Sequence, residues 1–316
     1  MKKSHGVISL AEIDFADRSF PFSWGPVPAV LAESITAVGV LQPPLLMEGK
    51  NGFRIVCGRR RLEYLRERTE ATSVLVMAMA DNCAEAELFR LALWDNRAIR
   101  EFNLVETADI YLAAEKLFPA ARLEGEIMPA LALPRRPRFI KRCRIIASFP
   151  EGLRALTAAG AVDGETVDLL GEWSPEACQA LLELVAVSGL RRNKLREVVG
   201  RIDDLSRRDG CAPTQPLAAA VKVAQVPETE RVDGEVLRDY LKCALYPNLT
   251  QARRDFAARL EKLSWPARLQ LEPPPDFEGG DYRLSFTFNG VREWQDALQK
   301  LTVLTGENVN EICRRP

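Results

Sequence analysis

Three consecutive arginines stand where a predicted strand gives way to a predicted helix. The apolar run 53–57 ends at Gly58, and Arg59, Arg60 and Arg61 begin the helix. The first turn of a helix has free backbone N–H groups and the positive end of the helix dipole, so it favours anions and disfavours added cations. A phosphate lying among the guanidinium groups would explain this placement, because arginine binds phosphate oxygens through paired hydrogen bonds.

The same three arginines also fit a simpler interpretation. Glu63 and Glu67 follow them on the same predicted helix and Glu70 lies just beyond it, so the arginines could be solvated and pair with any of these acids. The spacing alone leaves both interpretations open.

A second basic cluster lies at 135–144, where no acidic residue occurs. Its cations are Arg135, Arg136, Arg138, Lys141, Arg142 and Arg144. Phe139, Ile140, Cys143 and Ile146 recur at spacings of three and four, which predicts an amphipathic helix with its charges outward. A preceding helix, a short turn and a basic helix follow the order of a helix-turn-helix, so we predict that these cations bind DNA. The alternative is a basic face that contacts only water.

Short strands and helices must position the first cluster. Helix 30–38 ends at Gly39, strands 45–47 and 53–57 flank a turn at 49–52, and helix 59–68 precedes strand 71–80. From residue 84 onward the apolar spacing is almost wholly helical. The predicted helices are 84–101, 104–117, 122–132, 136–148, 150–159, 163–170, 174–188 and 192–207.

The remaining chain differs in pattern. Residues 208–232 contain Gly210, Pro213, Pro216 and Pro227, which favours a linker. Beyond it, helix 249–263, strands 268–272 and 282–288 and helix 291–303 are predicted. The resulting fold class is α+β, with a mixed α/β domain at 1–101, a helical domain at 102–207, a linker at 208–232 and a small α+β domain at 233–316. The last domain is a candidate for self-association.

Composition limits the partners and the compartment. The 316 residues carry a formal net charge of −1, so any affinity for nucleic acid must come from local clusters. Glu12 and Asp14 interrupt the apolar stretch after the basic N-terminus, and no apolar run approaches the length of a membrane span, so we expect a cytoplasmic protein. Seven scattered cysteines and one histidine predict neither a zinc site nor a haem site.

Several elements in order resemble the N-terminal pattern of ParB-like partition proteins. They are Ser34-Ile35, Gly39-Val-Leu-Gln-Pro43, the strand 53–56, Gly58-Arg-Arg-Arg61, and Asp95-Asn-Arg-Ala-Ile-Arg100 followed by Asn103-Leu-Val-Glu-Thr-Ala108. The resemblance implies the fold shared by ParB and sulfiredoxin, followed by a helix-turn-helix that includes the basic helix.

What the resemblance implies about function follows by position. CTP with Mg²⁺ would bind, and the nucleotide would help the protein close on DNA. Its phosphates would contact Gly58, Arg59, Arg60, Arg61 and Arg100, and Asp95 and Asn96 would face the metal. A role in DNA segregation or transcriptional control, a homodimer and a partner ATPase are also implied.

The sequence also departs from the family pattern. Arg59 replaces the glutamate of the family's Gly-Glu-Arg-Arg box, and Asp95 replaces the longer glutamate on the metal side. The arginine that the family pattern has near position 99 is displaced to Arg100, and residues 17–20 replace a proline-containing stretch. We therefore expect at most weak CTPase activity and assign no catalytic residue. Sulfiredoxin activity is disfavoured because arginine stands at the catalytic cysteine position, and no histidine or acidic cluster supports a nuclease. A phosphoryl-transfer enzyme of the same fold and an adaptor that binds DNA without nucleotide remain alternatives.

Overall fold

The computed structural model describes residues 3–49, 52–79, 84–262, 269–303 and Ile312. The chain divides into two compact units, Met1–Asp203 and Asp204–Pro316. Lys50 and Asn51, in the middle of the predicted turn, lie outside the described residues.

The first unit begins with a mixed sheet of five strands in the order β1-β5-β3-β4-β2. The strands are β1 (Lys3–Ser9), β2 (Ile13–Asp14), β3 (Leu45–Gly49), β4 (Gly52–Cys57) and β5 (Ser73–Met79). β1 pairs antiparallel with β5, β3 pairs antiparallel with β4, and β3–β5 and β2–β4 are parallel pairs. The sheet thus joins the N-terminal edge to the strand that leads into the arginine turn.

Helices α1 (Ala29–Val38) and α2 (Arg59–Arg68) complete the core of this part. Leu46, Leu62 and Val76 lie in the core and have no exposed surface. The predicted mixed α/β character of this region is confirmed. Strand β1 was not predicted, because Val7 and Ile8 are its only strongly apolar residues and its pairing with β5 depends on tertiary structure.

The rest of the first unit is helical, and most predicted helices are present. They are α3 (Glu85–Ile99), α4 (Leu104–Leu117), α5 (Ala120–Arg122), α6 (Met128–Ala130), α7 (Pro137–Ser148), α8 (Glu151–Ala158), α9 (Gly164–Leu170), α10 (Pro175–Ser188) and the first part of α11 (Arg192–Asp209). The predicted helix 122–132 differs, because it is divided into α5, a π-helical turn at Leu123–Ile127 and α6. Pro129 has no N–H to donate, which explains why regular hydrogen bonding does not continue there.

The second unit is also mixed. Its elements are the end of α11, α12 (Thr214–Ala224), α13 (Gly234–Leu245), α14 (Pro247–Lys262), the antiparallel pair β6 (Leu269–Glu272) and β7 (Arg283–Phe286), and α15 (Val291–Val303). The segment predicted as a linker therefore contains α12, which packs on α13 and buries Leu217 and Ala220. Its prolines did not prevent this, because Pro213 and Pro216 lie before and within the first turn, where proline is tolerated. In the described parts of both units, no helix has the length and apolar character required to cross a membrane.

Candidate phosphate and nucleic-acid sites

Gly58 fixes the turn that carries the three arginines. Its φ of 87° lies in the left-handed region, which suits glycine, and a Cβ there would stand 3.1 Å from Pro44 Cα. The turn therefore holds the start of α2 against the 42–44 segment. Arg61 reinforces this contact by donating to the carbonyl of Gln42.

Arg59 points into the protein and is only 5% exposed. Its guanidinium donates to the carbonyl of Phe15 at 3.1 Å and to that of Asp17, and it lies 3.6 Å from Glu63. Burial, followed by the nearby charge of Arg18, lowers the pKa of Arg59, although an arginine remains protonated. The residue that replaces the family's glutamate thus secures an N-terminal segment.

Glu106, which the sequence analysis did not single out, connects Arg60 and Arg100. Its carboxylate is 1% exposed and lies 3.0 Å from Arg60 Nη2 and 2.7 Å from Arg100 Nη1. It also accepts from the backbone N–H of Trp24 and of Asn103, each at 3.1 Å. The structure therefore brings together one arginine from each of the two resembling segments, through a buried acid.

A sequence pattern could have indicated Glu106. Asn103 caps α4 by accepting from the backbone N–H of Glu106 at 2.9 Å, and Glu106 returns a bond to the Asn103 N–H. This is the reciprocal capping box expected when a capping residue is followed three positions later by glutamate. The pattern predicts the cap, but it does not reveal the two arginines.

Asp95 and Asn96 lie in the last part of α3, just before Arg100. Asp95 is exposed, and Asn96 uses its amide nitrogen to donate to the carbonyl of Ala92 at 2.9 Å, so its amide oxygen is the atom that could bind a cation. Within the described ranges, no group of three or more His, Cys, Asp or Glu side chains could hold a metal. Asp95 and Asn96 would give Mg²⁺ only a few protein oxygens. This ion usually binds in that way, with substrate phosphates as its remaining ligands.

The basic helix α7 presents its cations on two different sides. Arg142 faces inward, with a side chain that is 12% exposed, and binds Asp168 of α9 through Nε at 2.9 Å and Nη2 at 2.6 Å. Gly164 makes room for it, since a Cβ there would lie 2.2 Å from Arg142 Nη1. Arg142 therefore joins two helices, in contrast to the outward orientation that DNA contact requires.

The other predicted DNA-binding cations are exposed. Arg138, Lys141 and Arg144 have side chains that are 60%, 68% and 56% exposed, and each pairs with an acid outside α7, on α9, in the turn after α9 and on α4 respectively. Those acids are Asp168, Glu172 and Glu115. Arg135 donates to the carbonyl of Glu124 at 2.7 Å, and Arg136 is exposed beside it. Exposed ion pairs of this kind contribute little stability, so a DNA phosphate could replace the acids as partner.

The turn before α7 contains a left-handed residue. Ala132 has a φ of 53°, a left-handed conformation that glycine adopts more easily than alanine. A cleft of about 490 Å³ lies next to this turn, with Tyr111, Arg136 and Arg144 in its wall.

The inward contact of Arg142 predicts a stability effect. Replacing Arg142 with alanine should lower the free energy of unfolding by about 2 kcal/mol, because Asp168 loses a bidentate partner at a partly buried site. Urea unfolding followed by circular dichroism measures this change. Arg138→Ala is the matched control, with an expected loss of less than about 0.5 kcal/mol, and equal losses in both variants would contradict the inward assignment.

The same pair predicts a pH dependence. Burial opposes ionisation of Asp168, but the hydrogen bonds from Arg142 and Arg138 outweigh it and lower the pKa of Asp168 below its ordinary value. A lowered pKa in the folded protein stabilises the fold above the ordinary carboxyl pKa, and this stabilisation is lost as the pH falls through the folded pKa. Unfolding free energies measured across the acid range should fall less steeply in Asp168→Asn than in the wild type.

The comparisons with known proteins agree with the motifs. No family model matches the chain. The chain is similar to the chromosome-partitioning protein ParB of Myxococcus xanthus, with 28% identity over 209 residues that cover 66% of this chain and 68% of the relative. It is also similar to the stage 0 sporulation protein J of Bacillus subtilis, with 26% identity over 176 residues that cover 55% of this chain and 60% of the relative.

Solved structures add little to this result. The chain aligns with the C-terminally truncated chromosome-partitioning protein ParB of Caulobacter crescentus complexed with CTP-γ-S, with 16% identity, a TM-score of 0.27 and coverage of 57% of this chain and 98% of that one. For the same truncated protein complexed to the centromeric parS site, the values are 14%, 0.31, 61% and 98%. Such low TM-scores carry no argument about fold or site. The sequence similarity to two curated relatives agrees with the ordered motifs between residues 34 and 108, so the chain is similar to ParB-like partition proteins.

Proposed function

We propose that the protein binds DNA in the partition or transcriptional control of a replicon, with α7 as its principal contact. The observation that carries the proposal is the exposed row of cations on α7, in a chain whose net charge is −1. Phosphate contacts depend on local positive charge, so this row supplies what the whole molecule lacks. Both curated relatives, a chromosome-partitioning protein and a sporulation protein, support the assignment by similarity.

In this proposal the six predicted cations have two roles. Arg135, Arg136, Arg138, Lys141 and Arg144 contact the DNA backbone or base edges, while Arg142 holds α7 on α9. The short helical turns before α7 and the turn at Ala132 form the first half of a helix-turn-helix. A homodimer formed through the second unit and a partner ATPase belong to the same proposal, by resemblance to the family.

The arginine cluster is proposed as a nucleotide site that switches DNA binding. Arg60, Arg61 and Arg100, with Gly58 at the turn, would hold the phosphates of CTP, and Asp95 and Asn96 would contribute oxygen ligands to Mg²⁺. Arg59 supports the site from inside through its contacts to residues 15 and 17. When bound, the metal would neutralise phosphate charge, and no hydrolytic step is assigned to any side chain.

Sequence-specific DNA binding is tested by in vitro selection of DNA duplexes. A pool of random duplexes is bound to the full chain at physiological salt, recovered and sequenced over several rounds. Enrichment of one sequence motif is the expected result. A pool that remains random, with binding no tighter than to any other duplex, would contradict sequence-specific DNA binding.

The nucleotide proposal is tested by calorimetry with CTP, ATP and GTP in the presence of Mg²⁺, with and without the enriched duplex. Binding of CTP that changes with DNA is the expected result, and Arg60→Ala should abolish it. Turnover that needs no DNA and is lost in Asp95→Ala would instead support a phosphoryl-transfer enzyme. DNA binding with no affinity for any of the three nucleotides would support an adaptor.

A further inference from the structure

The N-terminal segment 15–24, here called the strap, lies across the arginines proposed to bind phosphate. Arg60 Nη2 donates to the carbonyl of Trp24 at 2.9 Å, and Arg100 donates to the carbonyl of Phe22. Arg59 binds the other end of the strap at residues 15 and 17. Carbonyl oxygens of the chain thus occupy guanidinium donors that a phosphate oxygen would need.

Glu106 adds a full negative charge to this internal set of acceptors. Its two oxygens bind Arg60 and Arg100, at 3.0 and 2.7 Å. The Trp24 N–H also donates to Glu106, so the carboxylate holds the end of the strap and the two arginines at once. A carboxylate between two guanidinium groups presents charge and geometry similar to those of one phosphate group.

The internal acceptors leave Arg60 incompletely satisfied. Its Nε is buried and has no hydrogen-bond partner within the described structure. A buried guanidinium nitrogen without an acceptor is unfavourable, and an additional oxygen in this place would remove the penalty. Burial also lowers the pKa of Arg60, although the charge of Glu106 opposes this shift.

The strap has a hinge and room to move. Gly25 follows Trp24, is exposed and has a φ of 84°, and a Cβ built there would meet nothing within 4 Å. A cleft of about 650 Å³ adjoins the same end, with Trp24, Asp109 and Arg154 in its wall. Phe22, by contrast, is 3% exposed and packs 4.9 Å from the ring of Phe89, so movement is confined to the Trp24 end.

We infer that Glu106 and the Trp24 end of the strap are an internal competitor for an oligophosphate ligand, which must displace them to reach Arg60 and Arg100. This inference deepens the proposed nucleotide site and rests on it. A ligand with several phosphate groups is required, because it must replace the Glu106 carboxylate on both arginines and the Trp24 carbonyl on Arg60. The carbonyl of the buried Phe22 stays on Arg100.

Displacement at Glu106 would also reach the DNA-binding helix. Glu106 lies in the first turn of α4 and caps it with Asn103, and α4 packs directly on α7. A ligand that takes over Arg60 and Arg100 would remove two partners of Glu106 in the first turn of α4. Helix α4 is therefore the element through which phosphate binding at the arginines could affect α7.

The test uses Gly25→Ala in the full chain. Alanine fits the space but is strained at a φ of 84°, so it weakens the closed strap without altering an arginine or Glu106. Gly160→Ala is the matched control, since Gly160 has a φ of 74° and open space but lies at the end of α8. Binding of CTP with Mg²⁺ and of inorganic tripolyphosphate is measured by calorimetry, and amide exchange is measured at 22–27.

We expect Gly25→Ala to bind CTP about tenfold more tightly than the wild type and Gly160→Ala to bind it unchanged, since a strain of this size corresponds to roughly one decade in an equilibrium constant. Ligand should accelerate exchange at 22–27 in the wild type. Glu106→Gln, which keeps the shape and removes the charge, should tighten binding as well if the variant remains folded. If Gly25→Ala gains as much affinity for tripolyphosphate as for CTP, the site recognises phosphates alone. If it gains affinity only for CTP, the ligand is a nucleotide.

Two results overturn the inference in different ways. CTP binding of equal affinity in wild type and Gly25→Ala, with exchange at 22–27 unchanged by ligand, would leave the nucleotide site standing and eliminate the competing strap. Absence of binding by the wild type and by every variant would eliminate the nucleotide site together with the strap, while DNA binding would be judged by selection.

Discussion

Replacing Glu106 with alanine is expected to lower the free energy of unfolding by about 3–5 kcal/mol, a large part of the stability of a typical domain. The carboxylate is 1% exposed and is shared by two guanidinium groups and two backbone N–H groups. Removing it leaves two partly buried cations without their counter-charge and removes the Glu106 half of the capping box of α4, while Asn103 still caps the helix. Urea unfolding of the full chain, followed by circular dichroism, measures the loss.

Two matched variants define the cause of that effect. Glu101→Ala removes an exposed acid five positions earlier and should change stability by less than about 0.5 kcal/mol. Glu106→Gln keeps the size and one of the two acceptor oxygens, so it should cost less than the alanine variant, although the charge and the second acceptor are lost. A loss below about 1 kcal/mol in Glu106→Ala would show that the buried cluster does not support the fold.

The second large effect concerns DNA. Simultaneous replacement of Arg136, Arg138 and Lys141 with alanine should weaken DNA binding on the order of 100- to 1,000-fold at 0.1 M salt, if each makes one phosphate contact. The estimate follows because each contact contributes about 0.9 to the slope of log K against log salt. Fluorescence anisotropy with a labelled duplex measures the affinity.

The control for this variant removes the same charge elsewhere. Arg68, Lys222 and Arg254 are exposed and lie outside α7, so replacing all three with alanine changes the net charge equally. We expect less than about a threefold change in affinity, because none of these three side chains belongs to the predicted phosphate contacts. A comparable loss in both triple variants would assign the effect to net charge and remove the special role of α7.

Local patterns predicted the elements around the arginine turn with good accuracy. Helix α1 ends at Gly39 as expected, and β4, Gly58 and α2 follow in the predicted order. These elements have a strong local cause, such as apolar periodicity, a glycine that ends a helix or a capping residue. Strand β1 and helix α12 lacked such a cause, because one depends on pairing with β5 and the other contains prolines that usually indicate a loop.

The site could be predicted only in part, for a related reason. The sequence places six cations within residues 135–144 but cannot show that Arg142 meets Asp168, which is 26 positions later and on another helix. It likewise locates Arg60 and Arg100 in two motifs, while their common partner Glu106 becomes apparent only when α2 and α4 are packed together. Spacing identifies which residues share a face, and tertiary structure decides which of them are already paired.

The most direct test of the central claim is the salt dependence of DNA binding. The association constant of the wild type and of the Arg136, Arg138 and Lys141 triple variant is measured on the enriched duplex at several salt concentrations. We predict that the slope of log K against log salt becomes shallower by about 2.7 in the variant, which corresponds to three lost phosphate contacts at about 0.9 each. An identical slope for both proteins would contradict the account, because α7 would then make no phosphate contacts with DNA.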